Sequence, residues 1–294
     1  MRIALLTTSW PAHEHDPAGH FVRAEARALQ RQGHEVEVIT PAPGGAFGWP
    51  GAAARLRERP ARALDAARWI VSASRRVART PFERVVAHWA LPSGFPIATA
   101  SRRAALEVVS HGGDVRLLLG VGTGLRQRIV RLLAARSERW RFVSQALLDG
   151  LLGALTPATR ALLEPIAAVE APPLDLPDVG AEVAARRRSL GGMRVAVSVG
   201  RLVPGKRVER AIAAVACRRD LDALVVVGDG PERHRLQRFA RDLGVDARFV
   251  GAVARPEALA WIGAAAVLLQ ASASEGLSTI EREAAALGTP VERL

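Results

Sequence analysis

Short apolar runs alternate with stretches of helical spacing twice along this chain, and a proline-rich break separates the two series. The first series opens with Arg2 to Thr8, which is apolar and β-prone. Phe21 to Gln32 follows, with Phe21, Ala24, Ala28 and Leu29 at helical spacing and Gly33 to stop the helix. Glu35 to Thr40 then alternates as a strand does, and further short strands are expected at Arg84–Ala87, Glu107–Ser110 and Arg141–Ser144. Between Thr156 and Arg188 the pattern dissolves into Pro157, Pro165, Pro172, Pro173, Pro177 and Gly180. The second series predicts strands at Arg194–Val199, Ala223–Val227, Ala247–Val250 and Val267–Ala271. Helices are expected between and after them at Val208–Ala216, Pro231–Leu243, Pro256–Ala264 and Thr279–Leu287, with a fifth strand beginning at Val291. Repeated alternation of this kind implies a parallel sheet wrapped by helices. The expected fold is therefore α/β, with two Rossmann-like doubly wound domains at residues 1–165 and 191–294 and a linker at 166–190.

The chain has 294 residues, 49% of them hydrophobic, enough for two buried cores and too apolar for a disordered chain. Its single cysteine, Cys217, permits no intrachain disulfide, so an oxidising compartment is not implied and the cytosol is expected. The apolar start runs into Trp10, Pro11, His13 and Glu14 with no cleavage-like segment after it. The longest apolar stretch, Ala258 to Leu269, falls short of the roughly 20 residues a spanning helix needs.

The net charge of +12 is uneven: residues 1–165 carry 23 arginines against 13 acids (+10), and 166–294 carry 18 basic residues against 16 acids (+2). With no tyrosine and few aromatics among the basic residues, nucleic acid is not the expected partner; an anionic membrane surface, met from its inner face, or an acidic lipid fits better. Arg55 to Arg79 holds eight arginines against Glu58 and Asp65, with Leu64, Ala67, Val71, Ser74 and Ala78 at helical spacing. It reads either as a basic amphipathic helix for such a surface or as a sheet-packing helix with a charged outer face.

Of the 41 basic residues, 40 are arginine, and the exception is Lys206. A chain that uses arginine wherever either cation serves keeps a lysine where a compact, mobile ammonium is needed. Lys206 ends the run Gly200-Arg201-Leu202-Val203-Pro204-Gly205-Lys206 between a strand and a helix, the position where open α/β sheets bind ligands and helix N-termini hold phosphates. Arg201 offers a bidentate fork and Lys206 a point charge for a diphosphate. The run also has P-loop spacing, with Arg207 where the Mg²⁺-binding hydroxyl belongs and Asp229 ending a strand, so an NTPase is a competing reading.

Further along lie Glu275, Gly276, Leu277, Ser278 and Thr279, followed by Glu283. Ser278 and Glu281 form a capping-box pattern, so a helix starts there with backbone N–H groups exposed. Carboxylates at Glu275 and Glu283 suit sugar or ribose hydroxyls. In the first half, His111-Gly112-Gly113-Asp114 follows one strand end, and His88, Trp89, Pro92, Ser93 and Gly94 follow another. Ala18 and Gly19 precede the first helix, so three loops gather at one sheet edge.

Together these residues resemble glycosyltransferase family 4 and its retaining relatives, across nearly the whole chain. The resemblance implies the GT-B fold, with two Rossmann-like domains facing a central cleft. It also implies transfer of a sugar from a nucleotide-diphosphate sugar to a glycan or lipid-linked acceptor, with retention of anomeric configuration and a role in cell-envelope polysaccharide synthesis. Arg201 and Lys206 would then bind the diphosphate and stabilise the leaving group in place of a metal, so neither metal nor cofactor is expected. His111 would contact the sugar beside the reacting carbon, Glu275 its hydroxyls and Glu283 the ribose, with backbone amides near Gly19 and at Gly276, Leu277 and Ser278 assisting. After Gly288, Thr289 and Pro290 such enzymes continue with a further strand, loop and helices, whereas this chain stops at Leu294. The expectation that follows is a truncated second domain, and with it an alternative function as an impaired relative that binds sugar nucleotide without turnover.

Overall fold

The computed structural model describes residues 1–11, 19–47, 52–272 and 278–294. It divides into two compact units, Met1–Pro173 and Leu174–Leu294, each built on one wholly parallel sheet. Both are Rossmann-like α/β domains.

Unit 1 contains β1 (Arg2–Leu6), α1 (His20–Arg31), β2 (Glu35–Ile39), α2 (Ala52–Glu58), α3 (Arg62–Arg79), β3 (Arg84–His88), β4 (Ala105–Ser110), α4 (Gly113–Gly120), α5 (Thr123–Arg136), β5 (Ser137–Phe142), α6 (Gln145–Leu152), α7 (Pro157–Leu163) and β6 (Ala167–Val169). Its strand order is β2-β1-β3-β4-β5-β6. Successive strand residues face opposite sides, so each sheet needs cover on both. Leu6, Val85, Ala87, Val108, Trp140 and Phe142 pack against Val77 of α3, Leu118 of α4 and Leu133 of α5. Leu5 lies on the other face with Val22 and Ala26 of α1.

Unit 2 contains α8 (Gly180–Ser189), β7 (Val195–Val199), α9 (Val208–Ala216), β8 (Ala223–Val227), α10 (Arg233–Asp242), β9 (Ala247–Gly251), α11 (Arg255–Ala264), β10 (Val267–Gln270), α12 (Thr279–Ala286) and β11 (Val291–Arg293). The order is β11-β10-β7-β8-β9, and the expected fifth strand pairs with β10 in the register Leu268 with Val291. Val195, Val197 and Val225 face Leu259 and Ile262 of α11, while Ala196, Leu224 and Val226 face Ile212 of α9 and Leu236 of α10. Each valine, leucine or isoleucine side chain so taken out of water stabilises by about 1.5–3 kcal/mol.

Three expectations are revised. The expected linker at 166–190 belongs mostly to the two units: β6 extends the first sheet by pairing with β5, and α8 docks on α11. That docking places Val183 against Gly263, and Arg187 donates to the Gly263 carbonyl at 2.7 Å. The strand expected at Arg141–Ser144 lies earlier, at Ser137–Phe142, because Glu138, Arg139 and Arg141 hide it from an apolar reading. The basic stretch 55–79 is two helices, with Pro60 in the break. Its inner face is Trp69, Ile70, Ala73 and Val77, one position off the stripe expected from spacing; Leu64 and Val71 of that stripe are 62% and 47% exposed. Among the described residues, no helix is long and apolar enough to cross a membrane.

Candidate functional site

In an open parallel sheet, ligands bind beyond the strands' C-terminal ends where the winding direction reverses. In unit 2 the chain winds outward from β7 through β8 to β9 and returns to the other side of β7 as β10. The reversal lies between β7 and β10, so the loop at 200–207 and the start of α12 at Ser278 flank it. Arg201, Lys206 and Ser278 of the expected residues lie there.

Beyond β7, Lys206 closes a short 3₁₀ turn, Pro204–Lys206, and its side chain folds back over Gly200, where a Cβ would stand 3.6 Å from Lys206 Cε. Arg201 is exposed beside it. The loop is braced from the next strand: Gly200 N–H donates to Val227 O (2.9 Å), Leu202 N–H to Asp229 O (2.9 Å) and Glu232 N–H to Leu202 O (3.1 Å). The approach is so close that a Cβ on Gly228, whose φ is 132°, would fall 1.9 Å from Gly200 O, so only glycine fits there. Arg207 adopts a left-handed conformation (φ 48°, ψ 41°) before α9 begins at Val208. This break sets Lys206 outside the helix, unlike the continuous strand–GxxxxGK[ST]–helix arrangement of a P-loop.

Across the reversal, Ser278 caps α12: its Oγ accepts from Glu281 N–H at 3.4 Å and from Gln270 Nε2 at 3.0 Å. The reciprocal half of the expected capping box is replaced, because the Glu281 carboxylate takes Arg293 Nε at 3.0 Å. Glu283, in the second turn of α12, is 5% exposed, and its Oε1 accepts from Arg255 Nε (3.1 Å) and Nη2 (2.7 Å). Arg255 also donates to Asp175 O at 2.8 Å. Sequence reasoning missed Arg255, since an arginine at a helix start carries no pattern that marks it as a carboxylate's partner. Glu275, Gly276 and Leu277, like Ala18, lie outside the described residues.

In unit 1 the reversal falls between β1 and β3. Gly19 starts α1 in the left-handed region (φ 69°), and a Cβ there would meet Ser9 O at 2.4 Å. The ends of β3 and β4 are clamped by buried Asp114. Its Oδ2 accepts Ala90 N–H at 2.8 Å, and its Oδ1 accepts the N–H groups of His111 and Gly112, each at 3.1 Å. His111 is half-buried among Phe21 and Trp89, with ring centroids 4.8 and 4.9 Å away, and its Nε2 meets His88 Nδ1 at 2.9 Å.

Behind these rings lies a buried charged group that the sequence did not announce. Arg141 on β5 contacts both Glu25 of α1 and Glu107 of β4, and Glu25 Oε2 stands 3.5 Å from His88 Nε2. Desolvation pushes the His88 pKa down to about 3, with the Arg141 cation adding to it. His111 is held well below its ordinary value by burial first, then by His88 and Arg141. Among the described residues, no group of three or more His, Cys, Asp or Glu side chains stands ready to hold a metal ion.

A family model described as Glycosyltransferase Family 4 matches residues 18–161, and one described as glycosyl transferases group 1 matches residues 184–291. The GDP-mannose-dependent alpha-(1-6)-phosphatidylinositol monomannoside mannosyltransferase of Mycobacterium tuberculosis is 36% identical over 128 residues, 39% of this chain and 33% of that protein. The lipopolysaccharide core biosynthesis glycosyltransferase LpsE of Rhizobium meliloti is 37% identical over 97 residues, 33% of this chain and 28% of that protein. The chain thus aligns with about a third of the length of these relatives. Among solved structures, sucrose-phosphate synthase of Thermosynechococcus elongatus superposes with a TM-score of 0.70 at 19% identity, over 99% of this chain and 80% of that one. HepE of Anabaena, in complex with UDP and glucose, gives 0.64 at 20% identity over 99% and 80%. Both share the GT-B architecture of two parallel-sheet domains.

Proposed function

We propose that this chain, whose first unit matches the Glycosyltransferase Family 4 model and whose second matches the model of glycosyl transferases group 1, transfers a sugar from a nucleotide-diphosphate sugar to a glycan or lipid-linked acceptor. The observation that carries the reading is the Gly200–Lys206 loop. The only lysine of the chain is folded over Gly200 beside exposed Arg201, at the winding reversal of a doubly wound sheet and next to the start of α9. Two cations on a braced backbone suit a diphosphate, whose charge grows as the nucleoside diphosphate departs. The Ser278-capped start of α12 adds N–H groups on the opposite side of the reversal. The reading gives Glu275 the sugar hydroxyls, Glu283 the ribose and His111 the sugar beside the reacting carbon. It also makes the transfer retaining and cytoplasmic, without metal or cofactor.

A membrane surface is the proposed setting for the acceptor. Its support is α3, where exposed Leu64 and Val71 lie among exposed Arg68, Arg75 and Arg79. Cosedimentation with vesicles should rise with their anionic lipid content; indifference to that content would remove this part of the reading.

The central test is a panel of UDP-, GDP- and ADP-sugars, with binding followed by calorimetry and nucleoside-diphosphate release followed enzymatically. Binding and release of one donor, with product of unchanged anomeric configuration, is the expected result. Binding without release selects the sugar-nucleotide binder instead, and failure to bind any donor overturns both.

A further inference from the structure

Glu25, His88 and His111 lie in line, and the chemistry of each sets the next. Glu25 Oε2 and His88 Nε2 are both buried without a hydrogen-bond partner, and they face one another at 3.5 Å, within ion-pair reach. A bare lone pair at Nε2 would face the oxygen lone pairs of the carboxylate, so the ring proton of His88 is favoured on Nε2. A neutral His88 then has a bare lone pair at Nδ1, and its partner at 2.9 Å, His111 Nε2, must be the donor. The two imidazole planes are within 11° of parallel, and the His111 ring packs against Phe21 and Trp89, with centroids 4.8 and 4.9 Å away. The proton of His111 is thereby placed, and the ring nitrogen that remains is Nδ1.

We infer that Glu25 and His88 are positioning residues that hold His111 in the tautomer protonated on Nε2, so that Nδ1 offers a lone pair to a hydroxyl of the transferred sugar. The inference rests on the proposed role of His111 at the sugar. Arg141 serves the same arrangement from behind: its cation, shared between Glu25 and Glu107, holds the Glu25 carboxyl group in place and opposes a second charge on His88. Were His88 an imidazolium, its Nδ1–H would donate instead. His111 Nε2 would then accept, and Nδ1 would become a donor. The arrangement therefore decides between two opposite hydrogen-bonding characters at one atom.

The test uses the full chain labelled with ¹⁵N-histidine, with the His111 signals identified by their loss in H111Q. The expected spectrum at neutral pH has a protonated, pyrrole-type Nε2 and a bare, pyridine-type Nδ1 on both His88 and His111. A proton on His111 Nδ1, or an imidazolium at His88, overturns the inference, and this measurement needs no destabilising variant. In E25Q the amide can present either oxygen or NH₂ to His88. His111 should then lose its single tautomer, and kcat should fall about tenfold, the scale of one hydrogen bond, while Kd for free nucleoside diphosphate stays as it was. An unchanged kcat with a mixed tautomer would overturn the link to the sugar. If the wild-type spectrum is as expected and no sugar nucleotide binds, the proposed function fails while the tautomer assignment stands; donor turnover with the opposite tautomer sinks the inference alone.

Discussion

The two units answer the same architectural problem with opposite uses of arginine. In unit 1 Arg141 is 5% exposed and clasped by two carboxylates. In unit 2 Arg201 is exposed on a loop whose rigidity comes from backbone hydrogen bonds to the 228–232 turn. A buried cation with matched acids is an internal fixture that orders α1, β4 and β5 around His88. A cation on an exposed loop at a sheet's winding reversal, whose backbone is braced from the next strand, is on the proposed reading placed for a ligand's charge. Burial and bracing distinguish the two uses, since the residue type is the same.

The largest way to break the contrast is Arg141→Ala, which strands Glu25 and Glu107 as buried carboxylates and should cost about 3–5 kcal/mol of unit 1 stability in urea unfolding. Unfolding that stays within 1 kcal/mol of wild type, on the order of a surface substitution, would show that the clasp is not structural. Acid comes next. The folded pKa of His88 is near 3, below its unfolded value of 6.5, so the unfolded chain takes up the proton first as pH falls. Stability is thus complete above pH 6.5 and declines through the window from 6.5 to about 3. A urea midpoint for unit 1 that is flat across that window contradicts the buried, neutral ring.

Lys206→Ala inverts the Arg141 result: about 2 kcal/mol of nucleotide-sugar binding should vanish, as for a lost charged hydrogen bond, with the melting temperature unmoved. A shift in melting instead would reassign Lys206 to the framework. The smallest effect is that of Ser278→Ala, which removes the α12 cap and should cost about 1 kcal/mol of stability, read from the unfolding of unit 2.

Unit 2 was the more legible in the sequence because its central strands β7, β8 and β10 are nearly all apolar and its connections are short. Val208–Ala216 and Ala223–Val227 are found where periodicity put them, and the other elements shift by a residue or two. Unit 1 hid more. β5 carries Glu138, Arg139 and Arg141, whose charges read as surface until Glu25 and Glu107 are seen to neutralise one of them from 116 residues and 34 residues away in the chain. The stripe chosen on α3 missed its packing face by one position because small and apolar residues occur on both sides of that helix. At the candidate site, Lys206 stood out by composition and Ser278 by spacing to Glu281. Arg255, and the bond of Asp114 to Ala90, act through contacts between elements that no local pattern records.

Cys217 follows from the same second domain with a practical consequence. It is the only cysteine of the chain, it is exposed, and it ends the helix α9 that begins just after Lys206. At about 1.5 Å per residue, that helix holds the thiol roughly 15 Å from the proposed diphosphate cations. A maleimide fluorophore would therefore attach at one known spot on the natural sequence. Its emission would give a direct optical readout of donor arrival, with no engineered residue to confound it.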